Sequence, residues 1–225
     1  MRKQADAESS TLTKGERTRE AILLAGRAVF GRDGYGRARM SDIAQEAGLS
    51  QGAIYRYFRN KDDVFRAVLG DLDRQLFNAS TTGGHFRERP AEAIYEANLG
   101  YLSLFWESRG VMGAFHEAAA SHRSYRTLWE DMRRQFRERF LHVLQVSFGV
   151  TVDRELELLT LAAQCSVEEF AHSNFSSLVH PAIEPPVSVE EAARVTSAIW
   201  FAVIRDIVSR EPRASADLVS TTRQV

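Results

Sequence analysis

The chemistry in this chain concentrates in one short stretch, Ser50-Gln51-Gly52-Ala53-Ile54-Tyr55-Arg56-Tyr57-Phe58. Ser50 can cap a helix that begins at Gln51 and runs to about Phe58. Upstream, a second short helix spans about Met40 to Ala47, and the two are joined by Ala47-Gly48-Leu49-Ser50. Gly48 can take the left-handed backbone conformation that such a turn needs, and Leu49 can fill the angle between the helices. Ile43, Ala44, Ile54 and Phe58 supply a small apolar core. Gln51, Gly52, Ala53, Arg56 and Tyr57 have little apolar duty, and they fall on or near the outer face of the second helix. A helix that offers such groups from its N-terminal end fits a recognition helix in the DNA major groove. The same spacing also fits an ordinary helical hairpin with a solvated face, and spacing alone leaves both readings open.

Other chemistry is sparse. No GxSxG elbow, P-loop, GxGxxG or HExxH occurs. One Glu-x-x-His, Glu169 to His172, sits on a helical stretch. A di-iron helical bundle needs two such motifs and two further glutamates, and no second copy is present. Cys165 is the single cysteine and can build neither an intramolecular disulfide nor a thiolate cage. The chain is therefore expected to be no enzyme and to carry no metal or cofactor, a helical-bundle metal enzyme being the remote alternative.

The elements that position the short stretch read as helices throughout. Thr13 and Glu16 fit a capping box that opens the first helix, with Ile22, Ala25, Val29 and Phe30 on one face. Gly31, Gly34 and Gly36 break it. Asn60 and Asp63 fit the start of a fourth helix with the stripe Val64, Val68, Leu72 and Leu76. Pro90 opens a helix through about Trp106, and Gly110–Ser121 fits a short one. Ser124 is placed to cap a long helix ending at Gly149, and Asp153 one that runs to about Leu178. The segment HPAIEPP is a stiff connector, and Ser188 with Glu191 forms a second capping box for a helix to about Arg210. The prediction is all-α, about nine helices: a helix-turn-helix domain over 13–62, with the motif itself at about 39–58, a helical domain over 63–210, and flexible tails at 1–12 and 211–225.

Charge divides in the same way. Of 225 residues with a net charge of −1, residues 1–61 hold 12 Lys or Arg against 7 Asp or Glu, and residues 62–225 hold 17 against 23. A basic head on an acidic body is expected when one end meets phosphate. No stretch is long and apolar enough to span a bilayer, and MRKQADAESS lacks a signal peptide's apolar middle, so a cytoplasmic location is expected.

The segments TREAILLAGRAVFGRDGY and SDIAQEAGLSQGAIYRYFRNKDDVF resemble the DNA-binding domain of the TetR (tetracycline repressor) family over roughly residues 17–69. The resemblance implies that Ser50 caps the recognition helix and that Gln51, Gly52 and Ala53 read bases and touch phosphate. It implies that Tyr55 and Tyr57 sit at aromatic positions, one of them on phosphate, that Arg56 reaches DNA, and that Lys61 grips a phosphate at the next helix's positive end. Two positions depart from the family pattern. Arg39 stands where a threonine usually caps the first motif helix, and it is a longer-reaching phosphate ligand. Ala53 replaces a common threonine and offers only apolar contact, so no operator sequence can be borrowed from a relative.

The resemblance further implies a small-molecule cavity in the second domain and a dimer. Tyr101, Phe105, Met112, His116, Trp129, Met132, Phe136, Phe170 and Asn174 are the candidate lining, a bulky set that suits a large apolar ligand. For most of them the plain alternative is core. Asn98 and Gln164 are further polar groups on apolar helices. The last two helices are apolar over more than one stripe, which calls for a second partner: the same pair of helices in another chain. The expectation is a sequence-specific transcriptional regulator, a homodimer on a palindromic operator, acting as a repressor released by an apolar small-molecule effector. The alternatives are an effector-independent repressor and an activator.

Overall fold

The computed structural model describes residues 13–81, 84–176 and 186–210. Nine helices, and no strand, occur among the described residues: α1 Lys14–Arg37, α2 Met40–Glu46, α3 Gln51–Ile54, α4 Lys61–Ala79, α5 Pro90–Glu107, α6 Arg109–Ser121, α7 Arg123–Phe148, α8 Arg154–Phe175 and α9 Val189–Arg210. The predicted tails, most of the HPAIEPP connector and Leu178 lie outside the described residues. The chain forms two compact units. The first holds the described residues up to Leu72 with Gly110–Ser121, and the second holds Asp73–Arg109 with those from His122 onward.

In the first unit, α1 starts as its sequence dictates: Glu16 N–H donates to Thr13 Oγ1 at 3.3 Å, and Thr13 N–H donates to Glu16 Oε2 at 2.7 Å. Ile22, Val29 and Phe30 are wholly buried, as are Ile43 and Ile54 from the two motif helices and Val64, Phe65 and Val68 from α4. The rings of Phe30 and Phe65 lie 4.5 Å apart and those of Tyr35 and Phe65 5.1 Å apart. Asp63 N–H donates to Asn60 Oδ1 at 2.9 Å, the expected start of α4. The stripe Val64, Val68, Leu72 and Leu76 is buried.

In the second unit α9 packs along α5 and α8. Ile94, Leu141, Leu144, Phe148, Leu156 and Ile204 form its core. Asp153 Oδ1 accepts from Leu156 N–H at 2.8 Å, and the Ser188–Glu191 box is closed at 2.9 and 3.1 Å. The C-terminal end of α4 is held by a cation: the Arg139 guanidinium donates to the carbonyl of Phe77 and, at 3.0 and 2.7 Å, to the carbonyl and hydroxyl of Ser80. It also lies 3.7 Å over the Phe77 ring. That matches a positive charge to the carbonyl end of the helix dipole.

Several element boundaries differ from the sequence reading: α1 continues past Gly31, bends at Gly34 and ends at Arg37, and α8 ends at Phe175 rather than near 178. The second motif helix ends at Ile54 rather than near Phe58, because the chain tightens there: Arg56 and Tyr57 N–H donate to the third carbonyl back, at 3.3 and 3.0 Å. The long helix α7 starts one residue before Ser124, on His122, whose carbonyl accepts from Tyr125 and Arg126 N–H; no side chain caps it.

Gly100 makes a contact that sets the sign of a substitution. An alanine inside a helix normally gains about 1 kcal/mol over glycine. A Cβ at position 100 would lie 2.2 Å from the carbonyl oxygen of Ala79, which is main chain and cannot swing aside. Gly100→Ala is therefore expected to destabilise by about 1–3 kcal/mol and lower the melting temperature by several degrees. Thermal unfolding followed by circular dichroism checks this; a rise in the midpoint would refute the contact.

Candidate nucleic-acid interface

The helix-turn-helix is built from very short pieces fixed by their ends. Gly48 sits at φ 66, where its N–H reaches Gln45 and Leu49 N–H reaches Ala44, closing α2. Ser50 Oγ accepts from Ala53 N–H at 3.3 Å, which starts α3. Ile54 and Phe58 are buried, turning the opposite face outward. Gln51, Gly52, Tyr55 and Arg56 are exposed, and Ala53 and Tyr57 are half-buried. A Cβ at Gly52 would meet nothing within 4 Å, so the fold does not require a glycine there. The missing side chain instead leaves the helix start open to close approach.

Arg39 precedes α2. Asp42 reaches back to its main-chain N–H at 3.2 Å, while its own side chain makes no cap. Its guanidinium is exposed and pairs with none of the described residues. Arg37 lies beside it, with its Nε on the Asp33 carbonyl at 2.9 Å. Both arginines line an open groove of about 860 Å³ together with Asp33, Gly36, Met40 and Lys61.

Lys61, expected on a phosphate, stands beside the α1–α2 turn. Its Nζ donates to the carbonyls of Tyr35, Gly36 and Ala38 at 2.8, 3.1 and 3.2 Å, and it lies 4.7 Å from the centre of the Tyr35 ring. An ammonium has three protons and all are taken. Lys61 holds the α1–α2 turn.

The candidate ligand lining divides between the units. Met112 and His116 belong to the first unit, where Met112 is buried. In the second unit the Tyr101 ring stands 6.2 Å from those of both Phe105 and Phe136, and Phe136 is 5.5 Å from Phe77. Met132 is buried, and Trp129 and Phe170 are half-buried. The Asn174 amide donates to the carbonyl of Phe170 at 2.8 Å, within its own helix, leaving Oδ1 without a partner.

Sequence reasoning missed a polar group in the second unit. Arg133 Nε meets Glu168 Oε2 at 2.6 Å, and Gln164 donates to the Arg133 carbonyl and to Glu168 Oε1 at 3.0 and 2.9 Å. Arg133 also reaches Cys165 Sγ at 2.8 Å. The available signal was Thr160, Gln164 and Glu168 at intervals of four along α8. Burial pushes the Glu168 carboxyl up to about 7, against the pull of Arg133. Burial, and then Glu168, also raise the Tyr101 phenol. No three His, Cys, Asp or Glu converge as a metal site among the described residues, and none of the described helices is long and apolar enough to cross a membrane.

Residues 22–68 match the family model described as bacterial regulatory proteins, tetR family. Over 60 residues the chain is 42% identical to the HTH-type transcriptional repressor BepR of Brucella suis, covering 27% of this chain and 29% of BepR. Over 98 residues it is 31% identical to the HTH-type transcriptional regulator SrpR of Pseudomonas putida, covering 44% of this chain and 38% of SrpR. The chain thus spans about a third of the length of these curated relatives. A TetR-like transcriptional regulator from Rhodococcus sp. RHA1 shares the fold, with a TM-score of 0.65, 21% identity, and 85% of this chain and 98% of that one covered.

The Glu168 carboxyl, with its side chain 15% exposed, gives the second unit a pH signature. Below its ordinary value of 4.5 it is protonated whether the chain is folded or not; as pH rises to about 7, only the unfolded chain releases the proton. Its contribution to stability is thus full below 4.5 and lost as pH rises through about 7. Between about pH 5 and about pH 8 the wild type should lose more unfolding free energy than Glu168→Gln, which cannot titrate, by an amount of order 1–3 kcal/mol, seen as a larger fall in melting temperature. Parallel pH profiles for the two proteins would show that Glu168 is ionised in the fold.

Proposed function

We propose that this chain, a tetR-family protein, is a DNA-binding transcriptional regulator that docks α3 in the major groove of a palindromic operator as a homodimer. The observation that carries the reading is the outer face of α3. Gln51, Gly52, Tyr55 and Arg56 are exposed together, and the buried Ile54 and Phe58 make that face point away from the core. Ser50 fixes the helix start, Ala53 offers a methyl, and Tyr57 stands at the rim. Arg39, exposed at the start of α2, supplies the adjacent phosphate contact. Lys61 serves by holding the turn that carries Arg39. The relative BepR is named a repressor, which supports repression as the sign of control. Such a protein acts where the DNA is, in the cytoplasm.

The same reading assigns the dimer to α8 and α9. Leu158, Val195 and Ile199 are 51, 45 and 42% exposed, large apolar side chains on the outer faces of two helices whose inner faces close the core. A second copy of the two helices covers them and forms a four-helix interface. An apolar small molecule held in the second unit among Tyr101, Phe105, Trp129, Met132, Phe136, Phe170 and Asn174 acts as effector. Release needs a coupling of only about 1–3 kcal/mol, because two heads must meet half-sites about one helical turn apart.

Two measurements test these assignments. Arg56→Ala should weaken binding to a duplex that the wild-type protein recovers from a random-sequence pool by about tenfold or more, with an unchanged melting temperature. Undiminished affinity would remove α3 from the groove. Ile199→Glu should give a folded monomer by light scattering where the wild type is a dimer, since an unpaired charge at an apolar interface costs several kcal/mol. A dimer that persists in this variant would place the interface elsewhere.

A further inference from the structure

The turn that joins α1 to α2 is gripped through its main chain from two sides. Gly34 breaks the helix at φ 77 and aims the next two N–H groups in one direction. Tyr35 N–H donates to Glu117 Oε2 at 2.9 Å and Gly36 N–H donates to Glu117 Oε1 at 3.1 Å, so one carboxylate of α6 takes two consecutive peptides. The carbonyls of those same residues, with that of Ala38, hold the Lys61 ammonium. The Tyr35–Gly36 peptide is held on both sides, its N–H by the Glu117 carboxylate and its carbonyl by the Lys61 ammonium, so each contact polarises that group in the sense that strengthens the other. The Tyr35 phenol adds a hydrogen bond to Asp62. Glu117 is the sole acid of α6, whose inner face is Val111, Met112, Ala114, Phe115 and Ala118.

We infer that Glu117 is a positioning residue for DNA binding: its carboxylate fixes the α1–α2 turn, and the turn sets Arg37 and Arg39 against the phosphate backbone. This rests on the reading that the first unit binds DNA. Arg37 and Arg39 follow the clamped peptides directly and line one groove. A phosphate contact made by a long side chain is only as well placed as the main chain that carries it. The inference also adds Arg37 to the phosphate-facing set and accounts for two glycines. A Cβ at Gly34 would lie 2.6 Å from Glu117 Oε2, and one at Gly36 would lie 2.7 Å from Glu117 Oε1. Gly36 is not in the positive-φ region, so an alanine there displaces the carboxylate without straining the backbone.

That last point supplies a test in which the clamp is opened from either side. The full-length chain is titrated, by fluorescence anisotropy at several salt concentrations, against a duplex recovered by the wild type from a random-sequence pool. Glu117→Ala should bind about tenfold more weakly, with a salt dependence shallower by about one to two phosphate contacts. Gly36→Ala, which keeps every charge, should do the same, and the double variant should be no worse than either single one. Glu117→Gln, with one acceptor oxygen left, should fall between wild type and Glu117→Ala. Wild-type affinity and salt slope in Gly36→Ala, or additive losses in the double variant, would overturn the inference, and Gly36→Ala carries the test even if Glu117→Ala fails to fold. If the wild type itself recovers no duplex, the DNA-binding reading falls and this inference with it.

Discussion

A helix of seven residues and another of four cannot hold themselves together in water, because the first turn of a helix costs more than it returns and short helices never recover the deficit. Everything presented by the first unit therefore depends on one closure: Ile43 and Ile54, both wholly buried, seated on the Ile22, Val29, Phe30, Val64 and Val68 surface of α1 and α4. Burying one such side chain is worth about 1.5–3 kcal/mol, against about 1 kcal/mol for a cap such as Ser50. Burial sets the orientation of α3, and the caps trim its ends. A side chain placed outward by this closure needs no partner within the fold, which is why Gln51 and Arg56 remain available for contacts with something else.

The second unit solves a different problem with the same currency. Its helices are long enough to stand, and they carry more apolar surface than one core can use. The inner faces of α8 and α9 close around Leu156, Val167, Ala192 and Ile204, while Leu158, Val195 and Ile199 remain outside. The interior also admits charge. Arg133, Gln164 and Glu168 satisfy one another at 2.6–3.0 Å, and that mutual bonding is the condition on which ionisable groups are tolerated inside a helical bundle.

Much of this was legible in the sequence because it is local. The Thr13–Glu16 and Ser188–Glu191 boxes, the left-handed Gly48, the Asp153 cap and the α4 stripe are all decided by residues within a few positions of one another. Ser124 failed as a cap because His122 starts the same helix two residues earlier, a difference that side-chain preference does not resolve. The three carbonyls that take the Lys61 ammonium are about 25 residues away in sequence. Glu117 and the Tyr35 N–H are 82 residues apart, and Arg139 and the Phe77 carbonyl 62. Contacts of that range leave no periodic trace. The hints were a single acid on an apolar helix and a second glycine, Gly36, that does not lie at positive φ.

Helix α4 is tied at both ends: Lys61 and Asp62 to the α1–α2 turn, and the carbonyls of Phe77 and Ser80 to Arg139. Between those ties run 19 helical residues. Within the first unit, Lys61 and Asp62 are held by the turn while Val64, Phe65 and Val68 two to seven residues on are wholly buried. Adding or removing one residue between those two groups would shift one against the other by about 1.5 Å and turn it by about 100°, so the same core and the same turn could not both be kept. The first turns of α4 can change on their outer face residue by residue, while their residue count cannot.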